Sequence, residues 1–203
     1  MSTPHTAALV IVDAQAGFIN EHSRHAVPQL VRLVHAWSAT GRPVVFTRFY
    51  NPPGSPYERV TGWTGLRTPQ EQRIVDELSP YAPSAVALVD KPGSSALTPD
   101  FVATIENAGW TDLVLAGIDT DACVYDTATA AYHRGLRPWI VTDACASTGG
   151  QQYHDAALLL ARRNISPRQL ITVDELLNGS AGPTGTPDAA ASTRTEPPSA
   201  PGT

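Results

Sequence analysis

The chain has 203 residues, 16% charged and 42% apolar, with a formal net charge of −5. Those values suit one globular domain with enough chain for a sizeable core, and exclude a disordered polymer. The acidic balance, with arginines and lysines scattered, excludes a basic stripe for nucleic acid, and two cysteines, Cys123 and Cys145, are too few for a disulfide framework.

The first apolar run, Ala8-Leu-Val-Ile-Val12, reads as a strand that stops at Asp13. The residues before it lack a basic region and the run itself is short, so neither a signal peptide nor a membrane helix is expected, and a reducing cytoplasm is the expected setting. Val27, Leu30, Val31, Val34 and Trp37 recur at helical spacing, with Gly41 as a C-terminal cap. Val44 to Arg48 is a second strand, and a loop rich in Pro, Gly and aromatics spans Phe49 to Thr68. Thr68-Pro-Gln-Glu71 is a capping box, which predicts a helix running to about Leu78. Ala85 to Val89 is the third strand, and Thr98-Pro99-Asp100 opens a helix that Gly109 ends. Asp112 to Ile118 is the fourth strand, Cys123 to Arg134 a helix stopped by Gly135, and Trp139 to Thr142 the fifth strand. Gln152 to Arg163 is a helix, and Leu170 to Val173 the sixth strand.

Strand and helix alternating in this way predict a three-layer, doubly wound α/β fold. Its six-stranded parallel sheet takes the order 3-2-1-4-5-6. The domain is expected over 1–178. From Asn178 onward there is no Leu, Ile, Val or aromatic residue, so 179–203 are expected to form a disordered tail.

Asp13, Lys91 and Cys123 each fall at or just past the end of a strand-like run, where ligands bind in open α/β sheets. By residue type alone a cysteine often simply packs, an aspartate braces a loop and a lysine is solvated. Position argues further. Gly117-Ile-Asp-Thr-Asp-Ala-Cys123 is a strand, a polar turn and a helix start, and a helix N-terminus lowers a thiol pKa and cradles an oxyanion. An acid, a cation and a thiol on one sheet edge are the parts of a cysteine nucleophile with its own proton acceptor. Cys145, with no such turn, is expected to be structural.

The segments Asp13-Ala-Gln15-x-x-Phe18, Lys91-x-x-x-Ser95-Ala96 and Gly117-x-x-Thr120-Asp121-x-Cys123-Val124-x-x-Thr127-Ala128 resemble the isochorismatase-like cysteine hydrolase superfamily. This group includes nicotinamidases, N-carbamoylsarcosine amidase, biuret and ureidoacrylate hydrolases, and isochorismatases proper. The resemblance implies an Asp13-Lys91-Cys123 triad. It also implies a cis peptide at Ile118–Asp119 and an oxyanion hole made by the N–H groups of Asp119 and Cys123. Departures concern the substrate. Ser94, Leu97 and Ala122 stand where relatives often carry aromatics, and the stretch Thr47 to Tyr57 has none of the histidines with which nicotinamidases hold a metal. Asp119-Thr-Asp121 starts like a calcium loop but lacks its glycine and closing glutamate. Neither metal nor cofactor is expected.

The leading expectation is therefore a cofactor-free amidohydrolase that cleaves a C–N bond in a small amide, ureide or cyclic amide through a thioester. Gln15, Phe18, Trp63 and Tyr125 are candidates for lining the pocket, and Arg48 for anchoring a substrate carboxylate. The alternatives are vinyl-ether hydrolysis of the isochorismatase type and a non-catalytic interaction domain that keeps the fold. A homodimer or higher homo-oligomer is expected from the resemblance and from two-fold association being the commonest case.

Overall fold

In the computed structural model, residues 6–179 together with 182 and 183 are described. The tail expected over 179–203 thus lies, but for 179, 182 and 183, outside the described residues. Six strands, β1 (Ala7–Val12), β2 (Val44–Phe49), β3 (Ala87–Lys91), β4 (Asp112–Ile118), β5 (Arg137–Ala146) and β6 (Leu170–Ile171), form one sheet in the order β3-β2-β1-β4-β5-β6. Every adjacent pair is parallel. The order is the one expected from the alternation of strands and helices.

Both faces of the sheet are covered, which is why β1 reads Ala-Ala-Leu-Val-Ile-Val with all six residues buried. Its alternate residues serve different cores. Ala7, Leu9 and Ile11 pack against α1 (Val27–Ala39) and α6 (Val173–Leu177), through Leu30, Leu33, Val34, Trp37 and Leu176. Ala8, Val10 and Val12 pack against α3 (Pro99–Ala108), α4 (Tyr125–His133) and α5 (Gln151–Asn164), through Phe101, Ile105, Ala128, Ala131 and Ala161. Full burial of one such Leu, Val or Phe side chain contributes roughly 1.5–3 kcal/mol. The indole N–H of Trp37 is satisfied by the Pro43 carbonyl at 3.0 Å.

The third strand lies two residues later than expected, at Ala87–Lys91, and the helix expected from Cys123 starts at Tyr125 after a π-helical turn. Three other elements depart further from the sequence-based expectation. The helix expected over 68–78 is a single turn, α2 (Pro69–Gln72), although its capping box is formed. Arg73 turns extended and the chain pairs with the segment after β1: Ala16 donates to Arg73 at 2.8 Å and Val75 to Ala14 at 3.0 Å. Those long-range backbone bonds replace the helical ones that residues 73–78 would otherwise make. β5 is longer than expected and takes in Cys145, its register against β4 slipping between Leu115 and Gly117. The last strand stops at Ile171 because Thr172 and Glu175 form a second capping box, and Val173 opens α6 instead of ending β6.

Candidate active site

The carboxyl ends of β1, β2, β3 and β4 converge, and the residues just past them build the site. Asp13 leaves β1 in the left-handed region, with φ 46°, a conformation that aspartate tolerates better than most residues. It is held there from β2. Its N–H donates to the Thr47 hydroxyl oxygen at 3.1 Å, and that hydroxyl donates to Asp13 Oδ1 at 2.5 Å. Oδ2, which takes no hydrogen bond of good angle, is left to the ammonium of Lys91, 2.6 Å away at the end of β3. Both side chains are 0% exposed. Lys91 also donates to the carbonyls of Gly93 (3.0 Å) and Ser94 (2.7 Å), and its ammonium stands 5.4 Å from the centre of the Phe49 ring. The ion pair and these two hydrogen bonds fix it, and two strand spacings are bridged by its reach.

Beyond β4 the chain crosses very close to β1. A Cβ on Gly117, whose φ is +137°, would meet the Val12 carbonyl oxygen at 2.0 Å, so only glycine fits. The cis Ile118–Asp119 peptide implied by the family resemblance follows. Thr120 to Val124 then form a wide, π-helical turn that leads into α4, with Cys123 inside it. The turn is tied down on two sides. The Thr120 hydroxyl and His154 Nδ1 of α5 lie 2.8 Å apart, and the Thr127 hydroxyl donates to the Cys123 carbonyl at 2.6 Å.

Cys123 is 6% exposed and faces the Asp13–Lys91 pair. Burial first, then the negative Asp13, push its thiol well above the usual range, and Lys91 opposes this only in part. The lowered thiol pKa expected from a helix start is thus overturned. The thiol is desolvated, it faces a carboxylate, and α4 itself begins only two residues later. Burial also works against the Lys91 ammonium, but the Asp13 carboxylate and the Cys123 sulfur outweigh it and raise its pKa. The resting site accordingly holds a charged lysine and a neutral thiol. Cys145 is different in kind: it is walled into β5, burial pushes it up to about 12, and it does not line the cavity.

A cavity of about 420 Å³ opens over the thiol. Phe18, Phe49, Tyr57 and Trp63 give it an aromatic wall, with Phe18 and Trp63 nearly parallel (19°) at 6.3 Å and Tyr57 edge-on to Phe49 at 5.2 Å. Asn20, Ser94, Asp119 and Thr148 form the polar side. The Asp119 carboxylate accepts from the Thr148 N–H at 2.6 Å and from the Thr148 hydroxyl at 2.9 Å. Burial, helped by Asp121 and Asp13 and opposed by Thr148, raises its pKa to about 6.

The structure brings together Asp13, Lys91, Cys123, Asp119, Phe18 and Trp63. It keeps three other candidates out. Gln15 is fully buried, its amide donating to the carbonyls of Phe49 and Gln72 and accepting from the Phe49 N–H. It braces β2 and does not face the cavity. Arg48 points to the far side of the sheet edge, where it grips Asp90 with two 2.7 Å bonds. Tyr125 packs toward α5, its hydroxyl accepting from Asn164 at 2.8 Å. Sequence reasoning missed Tyr57, Asn20, Thr148 and the Asp119 side chain. Tyr57 lies in the aromatic-rich loop after β2, so composition pointed at it, whereas Asn20 and Thr148 are 128 residues apart and meet only through the fold, by the bond from Asn20 Nδ2 to the Thr148 carbonyl. Among the described residues no three His, Cys, Asp or Glu side chains gather as a metal site, and no helix is long and apolar enough to cross a membrane.

The isochorismatase domain model matches residues 7–173. The ureidoacrylate amidohydrolase RutB of Methylobacterium radiotolerans is 27% identical over 76% of this chain and 72% of its own. The phenazine biosynthesis protein PhzD of Pseudomonas fluorescens is 26% identical over 86% of each chain. Among solved structures, N-carbamoylsarcosine amidase from Thermoplasma acidophilum superposes with a TM-score of 0.72 at 25% identity, covering 84% of this chain and 98% of that one.

Proposed function

Because the chain belongs to the isochorismatase family of hydrolases, we propose that it is a cysteine amidohydrolase that cleaves the C–N bond of a small amide through a thioester on Cys123. The observation that carries this reading is the buried Asp13–Lys91 pair, 2.6 Å apart, set against a thiol that lines the cavity. Resemblance to proteins named as an amidohydrolase and an amidase supports it.

In this mechanism Asp13 accepts the thiol proton as Sγ attacks the substrate carbonyl carbon, so a neutral resting thiol is no obstacle. Lys91 stays charged beside both groups and favours the thiolate as it forms, its field strengthened by the dry surroundings. The carbonyl oxygen becomes an anion held by the N–H groups of Asp119 and Cys123, a kind of contact worth roughly 3–4 kcal/mol per donor in a well-studied protease. Asp13 then gives its proton to the nitrogen, the C–N bond breaks, and the amine departs. Water attacks the thioester while Asp13 takes its proton, and the thiol is restored as the acid leaves. Vinyl-ether hydrolysis needs a proton donor and no nucleophilic sulfur, so the intact thiol favours the amide reaction.

A panel of small amides and ureides, with isochorismate alongside, screened for ammonia or amine release should yield turnover on an amide. Cys123→Ala should reduce it by more than roughly 10⁴-fold, the scale set by loss of a protease nucleophile. Rapid quench of the wild-type enzyme followed by intact mass should find the acyl adduct on the Cys123 peptide. Undiminished turnover in Cys123→Ala, or isochorismate as the one compound consumed, would overturn the reading.

A further inference from the structure

The cavity over Cys123 is electrically lopsided. Among the described residues that line it there is one carboxylate, Asp119, and no Arg, Lys or His. The cations nearby are committed elsewhere. Lys91 is fully buried, paired with Asp13 and donating to the carbonyls of Gly93 and Ser94, and Arg48 is clasped by Asp90 on the outer side. The acids behind the lining add to the imbalance: Asp126 accepts a hydrogen bond from Ser94, and Asp121 stands close enough to act on Asp119.

We infer that Asp119 is the specificity-determining residue of this pocket, and that it selects small, flat amides bearing a cationic or N–H-rich group and turns away those bearing a carboxylate. The inference rests on the reading of Cys123 as the acyl acceptor and goes further by naming the substrate class. Three features support it. Thr148 grips both Asp119 oxygens, at 2.6 and 2.9 Å, which fixes the carboxylate's orientation while leaving each oxygen a lone pair for a ligand. With a pKa of about 6, the group is ionised at neutral pH. Phe18, Tyr57 and Trp63 line the same cavity, and an aromatic wall suits a flat ring and attracts a cation. A carboxylate placed in the same space would find no basic side chain in the lining and would face the like charge of Asp119.

The test uses three matched probes: benzamide, 4-(aminomethyl)benzamide and 4-carboxybenzamide. Wild-type enzyme should hydrolyse the cationic probe over the anionic one by roughly a hundredfold in kcat/KM, as expected for opposite versus like charge beside a fixed carboxylate. Asp119→Asn, and Asp119→Ser as a second variant, should shrink that ratio to within a few-fold, and Asp119→Glu should restore its sign. A preference for the anionic probe, or a ratio that the Asn and Ser variants leave unchanged, would overturn the inference. Binding of the same probes to Cys123→Ala, followed by quenching of tryptophan fluorescence, separates this from the proposed reaction. If none of the three probes is hydrolysed but the cationic one binds tightest, the pocket inference stands independently of the proposed reaction. If the anionic probe binds tightest, the pocket inference fails whatever the turnover.

Discussion

Cys123 shows how strongly one residue's chemistry depends on what surrounds it. A cysteine in a polar turn before a helix reads as an activated thiolate, yet this one is buried against Asp13 and its pKa moves up. A general alkylating agent, which needs thiolate, should therefore react slowly at pH 7, and the rate should climb as pH rises past the ordinary thiol range. In the proposed mechanism a substrate escapes that limit, because attack of the thiol on it is coupled to proton transfer onto Asp13. Labelling with iodoacetamide across pH 6 to 10, with peptide mapping, should show Cys123 modified in step with loss of turnover and Cys145 unmodified. Fast, pH-independent labelling at neutrality would mean that the thiolate is the resting form. That Asp13, Lys91 and Cys123 meet at one sheet edge was legible in the sequence because each falls at or just past the end of a strand-like run. The direction of the thiol shift was not, because it comes from burial and from a carboxylate more than a hundred residues away in the chain. Arg48 misled for a similar reason: the register of β2 and β3 sets it opposite Asp90, which the local sequence does not reveal.

At the scale of elements, regular structure was read from periodicity and caps, and the errors fall where tertiary pairing overrides them. Thr68 and Glu71 do start a helix, but Arg73 and Val75 find better backbone partners in the loop after β1, so one turn is all that forms. The reverse case is α6, whose capping box Thr172-x-x-Glu175 was present in the sequence and outweighs the strand-like look of Val173. The junction that matters most for the site is the crossing of β1 and β4 at Gly117. An alanine there must adopt a strained positive φ and push Val12 off by its carbonyl, which would displace Asp13 along with it. Gly117→Ala should cost about 3 kcal/mol or more, the sum of backbone strain and overpacking. Urea unfolding of the variant should show this as a lower midpoint, and any folded fraction should have lost activity beyond the stability loss. A variant as stable and as active as wild type would show that the crossing relaxes freely.

For the whole molecule, the strand order followed from the alternation of elements, since right-handed crossovers leave few ways to wind six parallel strands. What that winding buries decides how the fold responds to pH. On the acid side two groups oppose each other. The Asp119 pKa is raised from 3.8 to about 6, so its contribution is complete below 3.8 and lost as pH rises through 6. The pKa of His154, packed on Thr120, is lowered by burial, so its contribution is present above 6.5 and lost as pH falls through the lower value. On the alkaline side three deeply buried groups shift the same way. The pKa values of Lys91, Cys123 and Cys145 are all raised, so each stabilises the fold below its unfolded value and loses that contribution as pH climbs toward its folded one. Cys145 isolates the effect because it lies outside the cavity and shifts from 9.0 to about 12. Between those values the unfolded chain has released a proton that the folded chain keeps, which gives a slope near −1.4 kcal/mol per pH unit for this residue alone. Its full contribution is at most roughly 4 kcal/mol. Stability from urea unfolding should change little between pH 5 and 8 and fall steeply above 9. Cys145→Ala should start lower, through a lost sulfur contact in a tight strand, but fall less steeply by about one proton's worth. Parallel curves for the two proteins would show that Cys145 ionises in the fold as easily as in the open chain, and that the alkaline weakness lies with other groups such as Lys91, Cys123 and Tyr57.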